Sequence, residues 1–324
     1  LDDETAQYIA SMKERLDDRS IDLDARESLA LETAATLDRA ARAALALAGK
    51  LARWDVAVEL LDDFDRKDED HPRRREFGLQ AAVYRWAQAR AWNDRRAVRP
   101  AEVPNTEREA AALDDSIARL RRIVGGEPGP VADNIRFRLA WALTDRAALE
   151  AAGSPPATLR RDEAAGLLKD PPTEASLSGF HALLKAELLR EAGKIEEAAV
   201  QVAVAARSQA PPPEAEILDV LLPILVDRRA FAEARKAIDA MGLPAPAKDL
   251  QRVRVDLGEG AGVAVEQESV RGVLLGQAVG DQLVGEAVRN VVARVDDGLD
   301  LLAEGRLVLD VGPEDVARRD VGDP

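Results

Sequence analysis

Apolar residues recur at steps of three and four along most of this chain, the spacing that places side chains on one face of an α-helix. Alternating segments are nearly absent. Ala6, Ile9, Met12 and Leu16 predict a helix over 2–17, followed by a turn at 18–25 with Asp24 as its helix cap. A long helix is expected from about Arg26 to Gly49. Residues 73–96 form the next helix, with Phe77, Ala81, Tyr84, Gln88 and Ala91 on one stripe, flanked by Leu79, Val83, Trp86 and Arg90. Aromatics at helical spacing are read as core packing. Asn105 or Thr106 starts a helix to about Val124. After the breaker GGEPGP at 125–130, helices follow at 131–151 and 159–169. Hairpins are therefore expected near 26–66, 73–124, 131–169, 179–208 and 214–241.

The clearest order lies between Gly179 and Met241. Ala186, Leu189, Gly193, Ile195, Ala198, Val202 and Ala205 form one set. Leu222, Leu225, Arg229, Phe231, Ala234, Ile238 and Met241 form a second, each displaced by 36 residues. In each copy a short polar turn, AGK or DRR, separates two helices whose apolar faces need stacked neighbours. A third copy is expected at Leu45, Ala48, Ala52, Trp54, Ala57, Leu61 and Phe64.

This pattern resembles the tetratricopeptide repeat, a helix-turn-helix unit of about 34 residues. Small or apolar Ala186 and Leu222 sit where the first helix packs closely. Gly193 sits at the turn, and Ala198 and Ala234 lie early in the second helix. The second copy departs from the pattern with Arg229 at the turn and Pro223 inside its first helix, where a kink or shortening is expected. The fold class implied is all-α: an α-solenoid of stacked antiparallel helical hairpins over 1–257, with an atypical C-terminal segment over 258–324.

Composition narrows the picture. The net charge of −15 argues against nucleic acid as a partner. There is no cysteine, which removes thiol chemistry and disulfides. No run of 18 apolar residues is present to span a membrane. The chain starts at Leu1, compatible with a cytoplasmic protein or an exported one whose signal has been removed. Residues 258–324 hold 11 of the 21 glycines and 14 acidic residues against 6 arginines. A helix over 281–303 and a short strand over 306–312 are expected there. The segment admits three readings: a helical cap, a flexible acidic tail, or a stretch translated out of frame.

Catalytic chemistry has little support. His71 reads as a loop residue and His181 as helix-terminal, and neither has a second histidine at metal spacing. GEGAG at 258–262 lacks the spacing of a phosphate loop. No cofactor or metal is expected, and the chain reads as a non-enzyme. What the resemblance implies is a scaffold that holds a protein or peptide on the face formed by the first helix of each hairpin. Projected onto this chain, that face carries Arg39, Arg42 and Lys50 at a basic end. Its acidic end carries Glu187, Arg190, Glu191, Glu216, Asp219 and Asp227. The alternative is an accessory helical subunit of an enzyme or envelope assembly whose chemistry lies in another chain.

Overall fold

The computed structural model describes residues 1–268, apart from 104, 126–128, 152, 243 and 244. Among these residues the chain is all-helical, with no strand. The helices are α1 (Asp3–Asp17), α2 (Leu23–Ala43), α3 (Leu47–Lys67), α4 (Arg74–Val98), α5 (Glu107–Ile123) and α6 (Pro130–Ala148). They continue with α7 (Pro155–Leu167), α8 (Ala175–Glu191), α9 (Ile195–Ala206), α10 (Glu214–Asp227), α11 (Phe231–Ala240) and α12 (Ala245–Glu268).

Short polar side chains start several of them. The Thr5 N–H donates to Asp2 Oδ1 at 2.8 Å, and the Ala25 N–H donates to Asp22 Oδ1 at 2.8 Å. Asp22, not Asp24, is thus the cap of α2. The chain leaves its turn two residues earlier than expected, and Asp24 lies in the first helical turn, where its charge still favours the helix end. Pro130 and Pro155 open α6 and α7, where a missing N–H costs nothing.

The third repeat copy is not where the pattern put it. The chain turns at 44–46, through extended backbone at Ala44 and Ala46, and Ala52 lies in mid-helix. The physical reason is α3 itself. Unbroken from Leu47, it buries Trp54, Ala57, Leu61 and Phe64 together and lets Trp54 Nε1–H donate to Asp38 Oδ1 at 2.7 Å. Leu45, assigned to the copy's first helix, is fully exposed.

The two copies within 179–241 do share one backbone geometry. Gly193 has φ 75° and Arg229 has φ 58°. The Lys194 N–H donates to Leu189 O at 2.8 Å, and the Ala230 N–H to Leu225 O at 2.8 Å. The Gly193 and Arg229 N–H groups reach Arg190 O at 2.9 Å and Val226 O at 2.8 Å. Both helices therefore end in a left-handed residue with the longer return bond that satisfies their last carbonyls. Ala198 and Ala234 are fully buried, which lets the second helix of each copy approach closely. Pro223 does not break α10. Leu218, Leu222, Ile224 and Leu225 are buried around it, and that packing outweighs the roughly 3 kcal/mol a proline costs in a helix interior.

Apolar burial is relayed along the chain rather than gathered in one centre. A first cluster joins α1–α4 around Trp54, Phe64, Phe77 and Tyr84. A second joins α4–α8 around Ile135, Phe137 and Leu143, a third α8–α10, and a fourth α10–α12. α4, α8 and α10 each contribute to two clusters and are apolar on two sides. Each helix packs on its chain neighbours, and α4/α6, α6/α8, α8/α10 and α10/α12 also touch. Gly179 marks one close approach, since a Cβ there would lie 2.5 Å from Ala210 O.

α12 runs without interruption from Ala245 to Glu268 and crosses position 258, so the GEGAG run is helical. Its Val255 is fully buried among Leu218, Leu222, Leu225, Ala234 and Ile238. The helix expected at 281–303 and the strand at 306–312 lie outside the described residues.

Candidate functional site

The even-numbered helices carry, besides their apolar sides, a row of charged and aromatic residues. On α6 these are Arg138, Trp141 and Asp145, at steps of three and four. On α4 they are Trp86 and Arg90. Arg42 on α2, Phe180 and Glu187 on α8, and Glu216 on α10 extend the row.

These groups meet. The rings of Trp86 and Trp141 lie 5.2 Å apart, Phe137 and Trp141 5.3 Å, and Trp141 and Phe180 6.5 Å. The guanidinium carbon of Arg138 lies 5.8–5.9 Å from the ring centres of Trp86, Phe137 and Trp141, and that of Arg90 lies 5.4 Å from Trp86. Trp86 Nε1–H donates to Asp145 Oδ2 at 2.8 Å, and Arg90 stands 4.0 Å from the same carboxylate. Arg138, Asp145, Glu187 and Glu216 each keep an edge open to solvent. Burial nevertheless weighs on the charge of all four, so these groups are set back among protein atoms rather than freely solvated.

Electrostatics record the enclosure. Burial pushes the Arg138 guanidinium down to about 10, and the like charge of Arg42 adds to the effect. Burial raises the Asp145 carboxyl against the opposing pull of Arg90 and the Trp86 hydrogen bond. Burial lifts Glu187 to about 7, helped by Asp145 and Glu191 and opposed by Arg190 and Arg90. Glu216 likewise rises to about 7 through burial, with Arg90 opposing. Arg90 on α4 thus acts on carboxyls of both α8 and α10, and Arg42 on α2 acts on Arg138 of α6. Groups from five helices share one space.

Of the residues projected from the sequence, Arg42, Glu187 and Glu216 belong to this row. Arg42 is chelated by Asp38 on its own helix at 3.0–3.1 Å. Arg39 is exposed on α2 and donates to Thr36 Oγ1. Lys50 is not on α2: the turn at 44–46 transfers it to α3. Arg190 pairs with Asp227 at 3.2 Å, and Glu191 pairs with Arg161, so these three tie neighbouring hairpins together. Asp219 accepts from Gln251 at 2.9 Å and Arg254 at 3.1 Å, which fastens α12 to α10.

Arg138, Trp141 and Asp145 were not singled out from the sequence. Apolar residues surround α6 on most sides, so no single stripe marks its polar row. The legible signal was an arginine and an aspartate seven residues apart bracketing a tryptophan in an otherwise apolar helix.

No protein-family model matches this chain, and no curated protein and no solved structure matches it.

The two histidines stand apart from this row. His71, expected in a solvated loop, is buried: its Nδ1 lies 3.2 Å from Glu27 and its Nε2 3.4 Å from Asp65. Its ring packs 5.3 Å from Phe64 and 4.7 Å from Phe77. His181 lies in the second turn of α8, where burial and then Lys185 push it below the ordinary histidine range. Among the described residues no group of three His, Asp or Glu is placed to hold a metal ion, and no helix is long and apolar enough to cross a membrane.

Proposed function

We propose that the chain is a tetratricopeptide-like α-solenoid that acts as a binding scaffold, with the even-numbered helices lining a groove for an extended segment of another protein. The observation that carries this reading is convergence. Residues from α2, α4, α6, α8 and α10, far apart in sequence, present charge and aromatic surface to one enclosed space. A stable helical core has no need of such a row. Aromatic and arginine side chains in a desolvated recess are what protein recognition uses.

The solenoid part of the reading draws on three features. Cores are relayed through helices shared by successive clusters. From α4 to α12 the even-numbered helices touch their next-but-one neighbours. The turn geometry of 193 recurs at 229. Stacked hairpins produce all three, because each hairpin is apolar on both sides and needs a neighbour there. The reading involves no catalytic step and no cofactor.

Selection of random displayed dodecapeptides on the immobilised full chain tests this. Enriched peptides should lose binding to Trp141→Ala and keep it for Arg66→Ala, a change on the exposed side of α3. Enrichment that ignores Trp141, or none, would remove the groove as the working surface.

A further inference from the structure

Arg138 is the anomaly of the recess. The nearby arginines Arg42 and Arg90 find carboxylates, Asp38 and Asp145, as does Arg119 with Asp62 and Asp115. Among the described residues, Arg138 has none. Its Nε–H is sealed from water and donates to nothing, and its contacts are the faces of Trp86, Phe137 and Trp141. Ring faces return only part of what a guanidinium gives up on leaving water. A methionine or leucine would fill the same space among three rings without that cost. A cation held there, its planar fork already fixed by the rings, is preorganised for an anion.

The surroundings say what kind of anion. Arg42 adds positive potential on the α2 side. Glu187 and Glu216, raised to about 7, supply negative potential on the α8 and α10 side once pH exceeds that value. The rings of Trp86 and Trp141 offer apolar surface between. Ring faces and charges of both signs around one cation suit a carboxylate on a side chain within an extended peptide, whose neighbouring residues meet the rings and the carboxyls, better than a free chain end.

We infer that Arg138 is the receptor for an acidic side chain of a bound extended peptide. That residue is flanked by an aromatic or aliphatic one seated on Trp86 and Trp141, and by a basic one placed toward Glu187 and Glu216. The inference rests on the groove reading above and specifies its ligand.

The test uses the full chain and three synthetic hexapeptides, followed by tryptophan fluorescence and calorimetry at pH 7.5 and low salt. The first is acetyl-Ala-Phe-Glu-Ala-Lys-Ala-amide. The second carries Gln for Glu. The third carries Gln and a free carboxyl terminus. The Glu peptide should bind at least about tenfold tighter than the Gln peptide, as a charge-assisted bidentate pair warrants. Arg138→Met should melt at or above the parent temperature, because an unpaired enclosed charge is gone, and its Glu/Gln ratio should fall to about one. Arg138→Lys, charged but without the fork, should keep a reduced preference of about threefold. Arg122→Met, on the exposed side of α5, should leave the ratio unchanged.

Equal affinity for Glu and Gln peptides overturns the inference. So does tight binding of the free carboxyl terminus alone, or a ratio that survives Arg138→Met. If none of the three binds while displayed peptides still depend on Trp141, the anion receptor falls and the groove stands. Failure of the groove itself looks different: no displayed peptide then depends on Trp141.

Discussion

The hairpins α8–α9 and α10–α11 and the middle of the chain, α4–α7, solve the same packing problem with different residues. The paired hairpins use small ones. Ala186, Ala198, Ala205 and Ala234 are fully buried, and the helix turn repeats at 36-residue spacing. The middle also buries alanines, among them Ala82, Ala140, Ala142 and Ala147, and adds large residues. Trp86, Phe137, Trp141 and Phe180 fill the space between helices, and charged Arg90, Arg138 and Asp145 stand among them. Small residues set how closely backbones approach and so hold geometry in register. Large polar-tipped residues bring rings and charged groups of successive helices against one another. The regular region therefore shows how the helices are held, and the irregular region is where the proposed binding surface lies.

The largest expected effect breaks the regular half. Ala198→Trp and Ala234→Trp each overfill a site with no free volume and should destabilise by about 3 kcal/mol or more. Ala148→Trp, at the exposed end of α6, should stay within about 0.5 kcal/mol. Urea denaturation monitored by circular dichroism separates the two cases. Similar midpoints for all three would mean that the alanines do not set helix spacing.

His71→Ala comes next. It removes the ring lying between two carboxylates and leaves Glu27, itself 1% exposed, without that neighbour. Loss of a fully enclosed ring packed on Phe64 and Phe77 leaves a cavity and should cost about 3 kcal/mol. A melting temperature unchanged by this substitution would show that α2, α3 and the 68–73 loop do not depend on this contact.

The recess itself has a pH signature. Glu187 and Glu216 are raised to about 7, from an ordinary 4.5, so the folded chain holds protons there that the unfolded chain has released. Stability contributed by these groups is full below about 4.5 and is lost as pH rises through 7. Glu187→Gln should therefore stabilise at pH 8 by about 1 kcal/mol, allowing for water at its open edge, and change little at pH 4. Thermal melts at both values check this. A larger gain at pH 4 would reverse the assignment.

The smallest effect sharpens the comparison of the two turns. Gly193→Ala places a Cβ at φ 75° and should cost about 1 kcal/mol. Arg229→Gly relieves the same conformation and should gain somewhat less than about 1 kcal/mol. Opposite signs in chemical denaturation would establish that one backbone device closes both hairpins.

How much of this was legible in the sequence follows from these particulars. The all-helical architecture and the boundaries of α1, α4, α5, α8 and α9 could be read to within a few residues. So could the equivalence of Gly193 and Arg229. The buried alanines at 186, 198 and 234 were legible too, because helical periodicity is a local property that each stretch carries in itself. The α2–α3 turn was not, because its position depends on Trp54 reaching Asp38, a partner 16 residues away. α12 was not, because its own pattern is weak and Val255 is held by residues of α10 and α11. The burial of His71 depends on Glu27, 44 residues earlier in the chain.

The recess is the extreme case. Arg90 and Arg138 are ordinary helix residues when each helix is read alone, and Arg42, Glu187 and Glu216 could be projected onto a common face only through the repeat resemblance. The sequence by itself determined that the chain is helical, where its clearest internal repeat lies, and that small residues bring those helices close. Only the tertiary structure decided which charges lost their water together, since desolvation depends on what stands opposite a side chain, and no local pattern records that.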